Sequence, residues 1–248
     1  MNTPPHTSRI LTLTLDLQLH AGEIPAFRGS IIELVGAEHD IFHNHDNSSE
    51  NTDHFHFGYP LVQYSVKRKK ATLVGLDAGA DALQQVLIPK LMGQLQFAGR
   101  THWFNGLQLQ EQRHAWQLLE EPQQFGLYGW LALNQENYKD WKAYDLPETR
   151  IPVLQRALTG HLRVLAKAVG ISELEQVVGS VVQVDKQKRA AFHGTQLVRF
   201  HALIESSLVL PFGLCIGRAA AFGFGEVQPV AVYQRMMNLK PKTTLVES

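Results

Sequence analysis

Five of the chain's twelve histidines fall between His39 and His56, in the polar segment HDIFHNHDNSSENTDHFHFG. In an extended stretch, residues i and i+2 project to the same side, so His43 can act with His45, and His54 with His56. Three readings compete. Zinc takes three or four such ligands, and Asp46 or Asp53 could complete a set. An acid/base centre asks for less: imidazole titrates near neutral pH, so one ring can accept a proton while another, or a tyrosine, donates one. Cleavage of RNA through its own 2′-hydroxyl needs such groups. A base takes the 2′-OH proton, the oxygen attacks phosphorus in line, and an acid protonates the departing 5′-oxygen. Positive groups steady the charge gathered on phosphorus. DNA, lacking the 2′-OH, would be inert. In the third reading the loop is merely solvated.

Two further stretches have chemical potential. GRAAAFGFG places Gly217, Arg218, Gly223 and Gly225 in one short run. Clustered glycines let backbone approach a phosphate or a base closely, or simply allow tight packing. The spacing is neither a dinucleotide fingerprint nor a Walker A loop. KRKK, Lys67 to Lys70, sets four cations side by side; such a run discourages edge pairing, or contacts phosphates where the partner is RNA. The letters H-N-H at 43–45 do not make an HNH nuclease motif, whose residues are spread along a ββα unit.

The elements that would hold these residues are partly legible. LTLTLDLQL (11–19) alternates leucine with polar residues, which predicts a half-buried strand. IPAFRGSIIELVGA places Phe27, Ile31, Ile32, Leu34 and Val35 at helical spacing, with Pro25 in the first turn. After the histidine-rich loop, 59–66 and 71–78 read as strands joined by the Lys67–Lys70 turn, and 79–91 as a helix. A further strand is available at 91–99. This β-α-β-β-α order is that of a ferredoxin-like, split βαβ unit. In the second half, strands are expected at 126–134, 178–186, 195–206 and 226–233, and a helix at 151–170. That helix has Ile151, Leu154, Leu158, Leu162, Leu165 and Val169 on one face and Arg156, Arg163 and Lys167 on the other. The second half thus reads as a looser copy, with one domain over 1–115 and another over 116–248. Residues 100–125 give no clear pattern.

Composition sets the class. With 248 residues, 44% hydrophobic and 19% charged, the chain has the make-up of an ordinary globular protein. Its single cysteine, Cys215, excludes an internal disulfide and a cysteine-based zinc cluster. MNTPPHTSR lacks the charged-then-apolar order of a signal peptide, so a cytoplasmic location is expected. The longest apolar run, 206–225, contains a proline, four glycines and Arg218 and is a poor membrane span, so no membrane partner is expected. Net charge is zero, but residues 1–66 hold eight acids against two bases, which leaves the remainder basic by six.

Together these stretches are similar to the CRISPR-associated endoribonucleases that cut precursor CRISPR RNA within each repeat, members of the RAMP superfamily of glycine-rich-loop proteins. PAFRGSIIELVG, IFHNHD and YPLVQYSVKRKKATLVGLDAGADAL, within 25–83, resemble the N-terminal half of one branch, and GRAAAFGFGEVQPV (217–230) its C-terminal glycine-rich loop and final strand. The resemblance implies an α+β fold of two tandem ferredoxin-like domains. It implies cleavage without a metal or other cofactor, leaving a 2′,3′-cyclic phosphate on the upstream fragment. A histidine just after the first helix is common in the family, which points to His45 as principal base or acid, His43 as its partner and Tyr59 as a third group. The RNA would be held by Gly217, Arg218, Gly223 and Gly225, by Lys67, Arg68, Lys69 and Lys70, and by Arg156, Arg163 and Lys167, with 186–189 (KQKR) in reserve. His54 and His56 then fall in a variable insertion. The partners implied are CRISPR repeat RNA, with room for effector-complex subunits and for a homodimer.

Two rivals stand beside this reading. A non-catalytic subunit that grips CRISPR RNA would share the fold and the glycine loop. LAKAVGISELEQVVGS (165–180) resembles a helix-turn-helix, with Ala166, Gly170 and Val177 near the usual positions, and would make the chain a DNA-binding protein.

Overall fold

The computed structural model describes residues 6–43, 58–143, 147–192 and 195–238. Two compact units emerge. One comprises Met1–Gln117 with Lys167–Ser172 and Ala219–Gly223; the other comprises Leu118–Ala166, Glu173–Arg218 and Phe224–Ser248.

The first unit is built on β1 (Thr7–Gln18), whose alternation works as expected: Leu11, Leu13, Leu15 and Leu17 are buried, as is Leu19 just beyond the strand. Helix α1 (Ile24–Val35) starts with Pro25 in its first turn and covers that face with Ile24, Phe27, Ile31 and Val35. Strands β2 (Val62–Lys67) and β3 (Lys70–Leu76) form a hairpin whose two-residue turn, Arg68-Lys69, has φ of 51° and 64°. Both positive values mark a type I′ turn, the form whose twist matches the strands it joins. Helix α2 (Ala78–Ala82) continues through a π-helical segment, Leu83–Leu87, and a 3-10 turn, Ile88–Lys90, so the expected helix at 79–91 is one winding of changing pitch.

The fourth strand differs from the expectation. Residues 94–97 do form a strand, β4 (Gln94–Phe97), but it pairs only with β5 (Arg100–Trp103) in a small hairpin. The sheet is completed by β6 (Leu107–Ala115), giving the antiparallel order β2-β3-β1-β6. The tight Ala98-Gly99 turn, with φ of 50° and 71°, folds β4 back on β5 before it can reach the sheet edge. Strand β6 lies at that edge, and eight of its nine residues are exposed, so no hydrophobic alternation announces it.

The second unit repeats the strand topology as β10-β7-β9-β8, from β7 (Leu118–Trp130), β8 (Gly179–Phe192), β9 (Thr195–Leu208) and β10 (Glu226–Gln228). A helix α3 (Gln135–Ala143) precedes α4 (Pro147–Ala168), which buries Val153, Leu154, Leu158, Leu162 and Leu165. No α-helix joins β9 to β10. The glycine-rich stretch takes that place, so the β-α-β-β-α order expected of both halves holds only in the first. The last expected strand, 226–233, stops at Gln228. Pro229 cannot donate to a ladder, and α5 (Val230–Met237) begins there, burying Tyr233 and Met237 one helical turn apart. The helix-turn-helix reading also fails. After α4 the backbone turns at Gly170 (φ 80°), makes only the 3-10 turn Leu174–Gln176, and enters β8, so no recognition helix follows. Among the described residues no helix is long and apolar enough to cross a membrane.

Candidate functional site

His43 is the last described residue before the polar loop. The 3-10 turn Asp40–Phe42 brings the chain back after α1, and Phe42 is buried in the core of the first unit. Two side chains fix this exit. The Tyr64 hydroxyl donates to the Phe42 carbonyl at 3.3 Å, and the Arg28 guanidinium donates through Nη2 to the His43 carbonyl. Burial pushes the Tyr64 phenol up, so it remains a protonated donor at neutral pH. The Arg28 guanidinium lies over two rings, 5.0 Å from the centroid of Phe222 and 5.9 Å from that of Tyr64. Burial also pushes the Arg28 pKa down, although a guanidinium stays charged at any pH of interest. Arg28 Nε and His43 Nε2 are both buried without a hydrogen-bond partner among the described residues.

His45 lies outside the described residues, as do Asp46, Asp53, His54 and His56, the other candidates of the acid/base and zinc readings. Tyr59 is buried at the start of the next segment, and Gln63 Nε2 donates to its phenol oxygen at 2.7 Å.

The glycine-rich stretch is shaped by close packing. Gly217 has φ of 100°, and a Cβ there would lie 2.6 Å from Trp130 Nε1. A Cβ on Gly225 (φ 79°) would run into the Ile216 carbonyl, and one on Gly223 (φ 79°) would sit 2.9 Å from the Tyr64 carbonyl oxygen. Each position therefore needs glycine for conformation and for space. The N–H groups of Arg218, Phe222, Gly223 and Gly225 donate to Leu131, Ala219, Ala220 and Gly129 carbonyls, so these four do not face an anion. Between the outer glycines, the 3-10 turn Ala220–Phe222 seats Phe222 beneath Arg28. Within the first unit, then, part of the glycine loop and the histidine exit share one cation.

The expected cations are less uniform than their sequence runs. Arg68 and Lys69 are exposed at the hairpin turn, Lys67 is half-buried, and Lys70 pairs with Asp16 at 2.8 Å. On α4, Arg156 and Lys167 are exposed, while Arg163 donates to the Val177 and Glu175 carbonyls at 3.2 and 3.5 Å. Arg156 and Arg163 line an open groove of ≈ 350 Å³ with Gln155, Thr159 and Gly160. Arg218 is exposed, as are Lys186, Lys188 and Arg189 on β8.

Sequence reasoning missed Arg28, Tyr64 and Phe222, and it missed two histidines of the second unit. Trp130 Nε1 donates to His161 Nδ1 at 3.2 Å, and the Gly129 N–H donates to His201 Nδ1 at 3.3 Å. Burial, aided by Arg218, pushes His161 down to about 4. Burial, aided by Arg199, Lys188 and Lys186, does the same to His201. Both rings are neutral at pH 7 and carry their hydrogen on Nε2. A basic residue inside an apolar helix face is the only sequence signal that could have flagged Arg28 or His161.

Residues 6–114 match the Cas6b N-terminal domain, and residues 117–230 match the Cas6b C-terminal domain. The chain belongs to the Cas6b family. Solved structures agree on the fold. A Cas6b crystal structure superposes with a TM-score of 0.78 at 20% identity, covering 90% of this chain and 100% of that one. A CRISPR RNA processing endoribonuclease Cas6b gives 0.67 at 17% identity, covering 90% and 98%. Csf5, a CRISPR-Cas type IV Cas6 crRNA endonuclease, gives 0.52 at 14% identity over 90% and 98%. At such identities the likeness is one of architecture, here the two tandem ferredoxin-like folds expected of a RAMP protein. No curated protein sequence matches this one.

Proposed function

We propose that this Cas6b-family chain is an endoribonuclease that cleaves precursor CRISPR RNA within its repeats, without a metal, by attack of the RNA's own 2′-hydroxyl. The products are guide RNAs, with a 2′,3′-cyclic phosphate on the upstream fragment. Membership in the Cas6b family is the observation that carries this reading. The anchored exit of the histidine loop supports it: Tyr64 and Arg28 fix the backbone carbonyls of Phe42 and His43, where the segment that carries the candidate acid/base groups begins.

His45 takes the role of principal base or acid, with His43 as its partner and Tyr59 as a third group. The base removes the 2′-OH proton, the oxygen attacks phosphorus, and the acid protonates the 5′-oxygen as its bond breaks. Arg68 and Lys69, the exposed cations of α4, and Arg218 hold the RNA backbone, which fixes register and makes affinity fall with salt. The N-terminal half, 1–115, supplies the chemistry, and 116–248 adds grip and the outer parts of the glycine-rich loop. Repeat RNA is the partner; effector subunits or a second copy would add to it.

The test separates cutting from holding. His45→Ala and His43→Ala, each incubated with repeat RNA, should keep binding within a few-fold while one or both lose cleavage by about 10²–10⁴-fold. Wild-type protein that binds repeat RNA and never cuts it would instead be a gripping subunit. Unchanged cutting by both variants would refute the site.

A further inference from the structure

Arg28 joins two segments that the sequence keeps far apart. Its Nη2 donates to the His43 carbonyl, and its guanidinium carbon lies over the Phe222 ring, 5.0 Å from the centroid. Phe222 is in turn held by the 3-10 turn Ala220–Phe222, whose flanks, Ala219 and Gly223, have φ of 54° and 79°. Gly223 is fixed by its fit against the backbone of β2 at Tyr64 and Ser65. Tyr64 closes the ring of contacts: its face receives Arg28, and its hydroxyl donates to Phe42, one residue before His43. The cation is half-buried, its Nε has no partner, and it pairs with no carboxylate among the described residues. Desolvating a guanidinium is unfavourable, so a structural residue at this place would be better served by an apolar side chain.

We infer that Arg28 is a positioning residue: a clamp that sets the His43 backbone, and hence the start of the histidine loop, against the glycine-rich loop. A guanidinium suits the task because its several N–H groups can donate while its delocalised charge lies over an aromatic ring. Lysine, a compact point charge on a flexible stem, lacks the pre-organised fork and would hold both contacts less firmly. The clamp makes the placement of the His43 backbone depend on the seating of Phe222.

The consequence for cleavage rests on the proposed endoribonuclease reading; the clamp itself does not, and two measurements keep them apart. In hydrogen exchange of the free protein, Arg28→Ala should expose the Phe42 and His43 amides, which donate to the His39 and Asp40 carbonyls, and speed exchange around Phe222. Peptides from β8 and β9 should be unaffected. In single-turnover cleavage at saturating protein, Arg28→Ala and Arg28→Lys should both lose rate by 10-fold or more, while the dissociation constant for repeat RNA moves less than about three-fold and the midpoint of the pH–rate profile stays in place. Phe222→Leu keeps apolar volume, removes the ring and should show the same pattern more weakly; it serves if Arg28→Ala does not fold. Unchanged exchange at Phe42–His43 overturns the clamp, whatever the activity. Normal cleavage by both Arg28→Ala and Arg28→Lys overturns the clamp's role in positioning for cleavage. Faster exchange in a protein whose wild type never cuts RNA would support the clamp and sink only the endoribonuclease reading.

Discussion

His161 and His201 should make the second unit acid-sensitive. Each accepts a hydrogen bond at Nδ1, from Trp130 Nε1 and the Gly129 N–H respectively, so protonation there would set hydrogen against hydrogen. In the folded chain both pKa values are depressed to about 4, chiefly by burial, against about 6.5 in an unfolded chain. Because the folded value is the lower one, the unfolded state binds more protons between these pH values, and stability falls as pH drops from about 6.5 towards 4. At pH 5 an unfolded histidine is almost wholly protonated while a folded one is only about one-tenth so, which costs about 2 kcal/mol per residue relative to pH 7.5. Urea unfolding at the two pH values measures the loss. His161→Asn and His201→Asn each keep an acceptor near Nδ1 and remove the titration, so each should lose about 2 kcal/mol less than wild type on acidification. The carboxylates Glu23 and Glu111, whose pKa values are held down by the His20 backbone N–H and by Arg9 respectively, titrate identically in all the proteins and cancel in the comparison. A wild type and double variant with equal losses would refute the reasoning.

Two predictions concern the backbone. Gly225→Ala meets both a positive φ of 79° and the Ile216 carbonyl, whereas Gly99→Ala meets only a positive φ of 71° and open space. Thermal unfolding should therefore show a loss of about 1 kcal/mol for Gly99→Ala and of several for Gly225→Ala. At the hairpin tip, the double change Arg68→Asn and Lys69→Gly places the favoured Asn-Gly pair in a type I′ turn and removes two exposed cations. Stability should hold or rise, while the slope of log Kd for repeat RNA against log salt should shrink by about 1–2; Lys70→Ala, already paired with Asp16, should change it less.

What the sequence disclosed follows from which side chains are buried on one face. The leucines of β1 and the apolar stripes of α1 and α4 each face a core, so their periodicity survives in the letters. Strand β6 lies on an edge with both faces in water, so its nine residues carry almost no pattern. In EVQPVAVY the alternating valines suit a strand, and only Pro229 signals that the ladder ends. The glycine-rich loop was found by composition, but the reason for its glycines was not: each is required by a neighbour distant in sequence, such as Trp130 for Gly217 and Tyr64 for Gly223. The same distance hid the pairing of Arg28 with Phe222, since nothing local marks a cation that a ring will cover from the other end of the chain. His43 and His45 were proposed from residue type and spacing, which sequence records directly; of the two, only His43 is among the described residues.

The central claim is cleavage by the RNA's own 2′-hydroxyl, and repeat RNA with single 2′-deoxy substitutions tests it most directly. Purified protein in excess EDTA should make one discrete cut, which a 2′-deoxy nucleotide at a single position abolishes and deoxy nucleotides elsewhere leave intact. Cleavage that proceeds through every deoxy substrate, or only after a divalent metal is restored, would contradict the account.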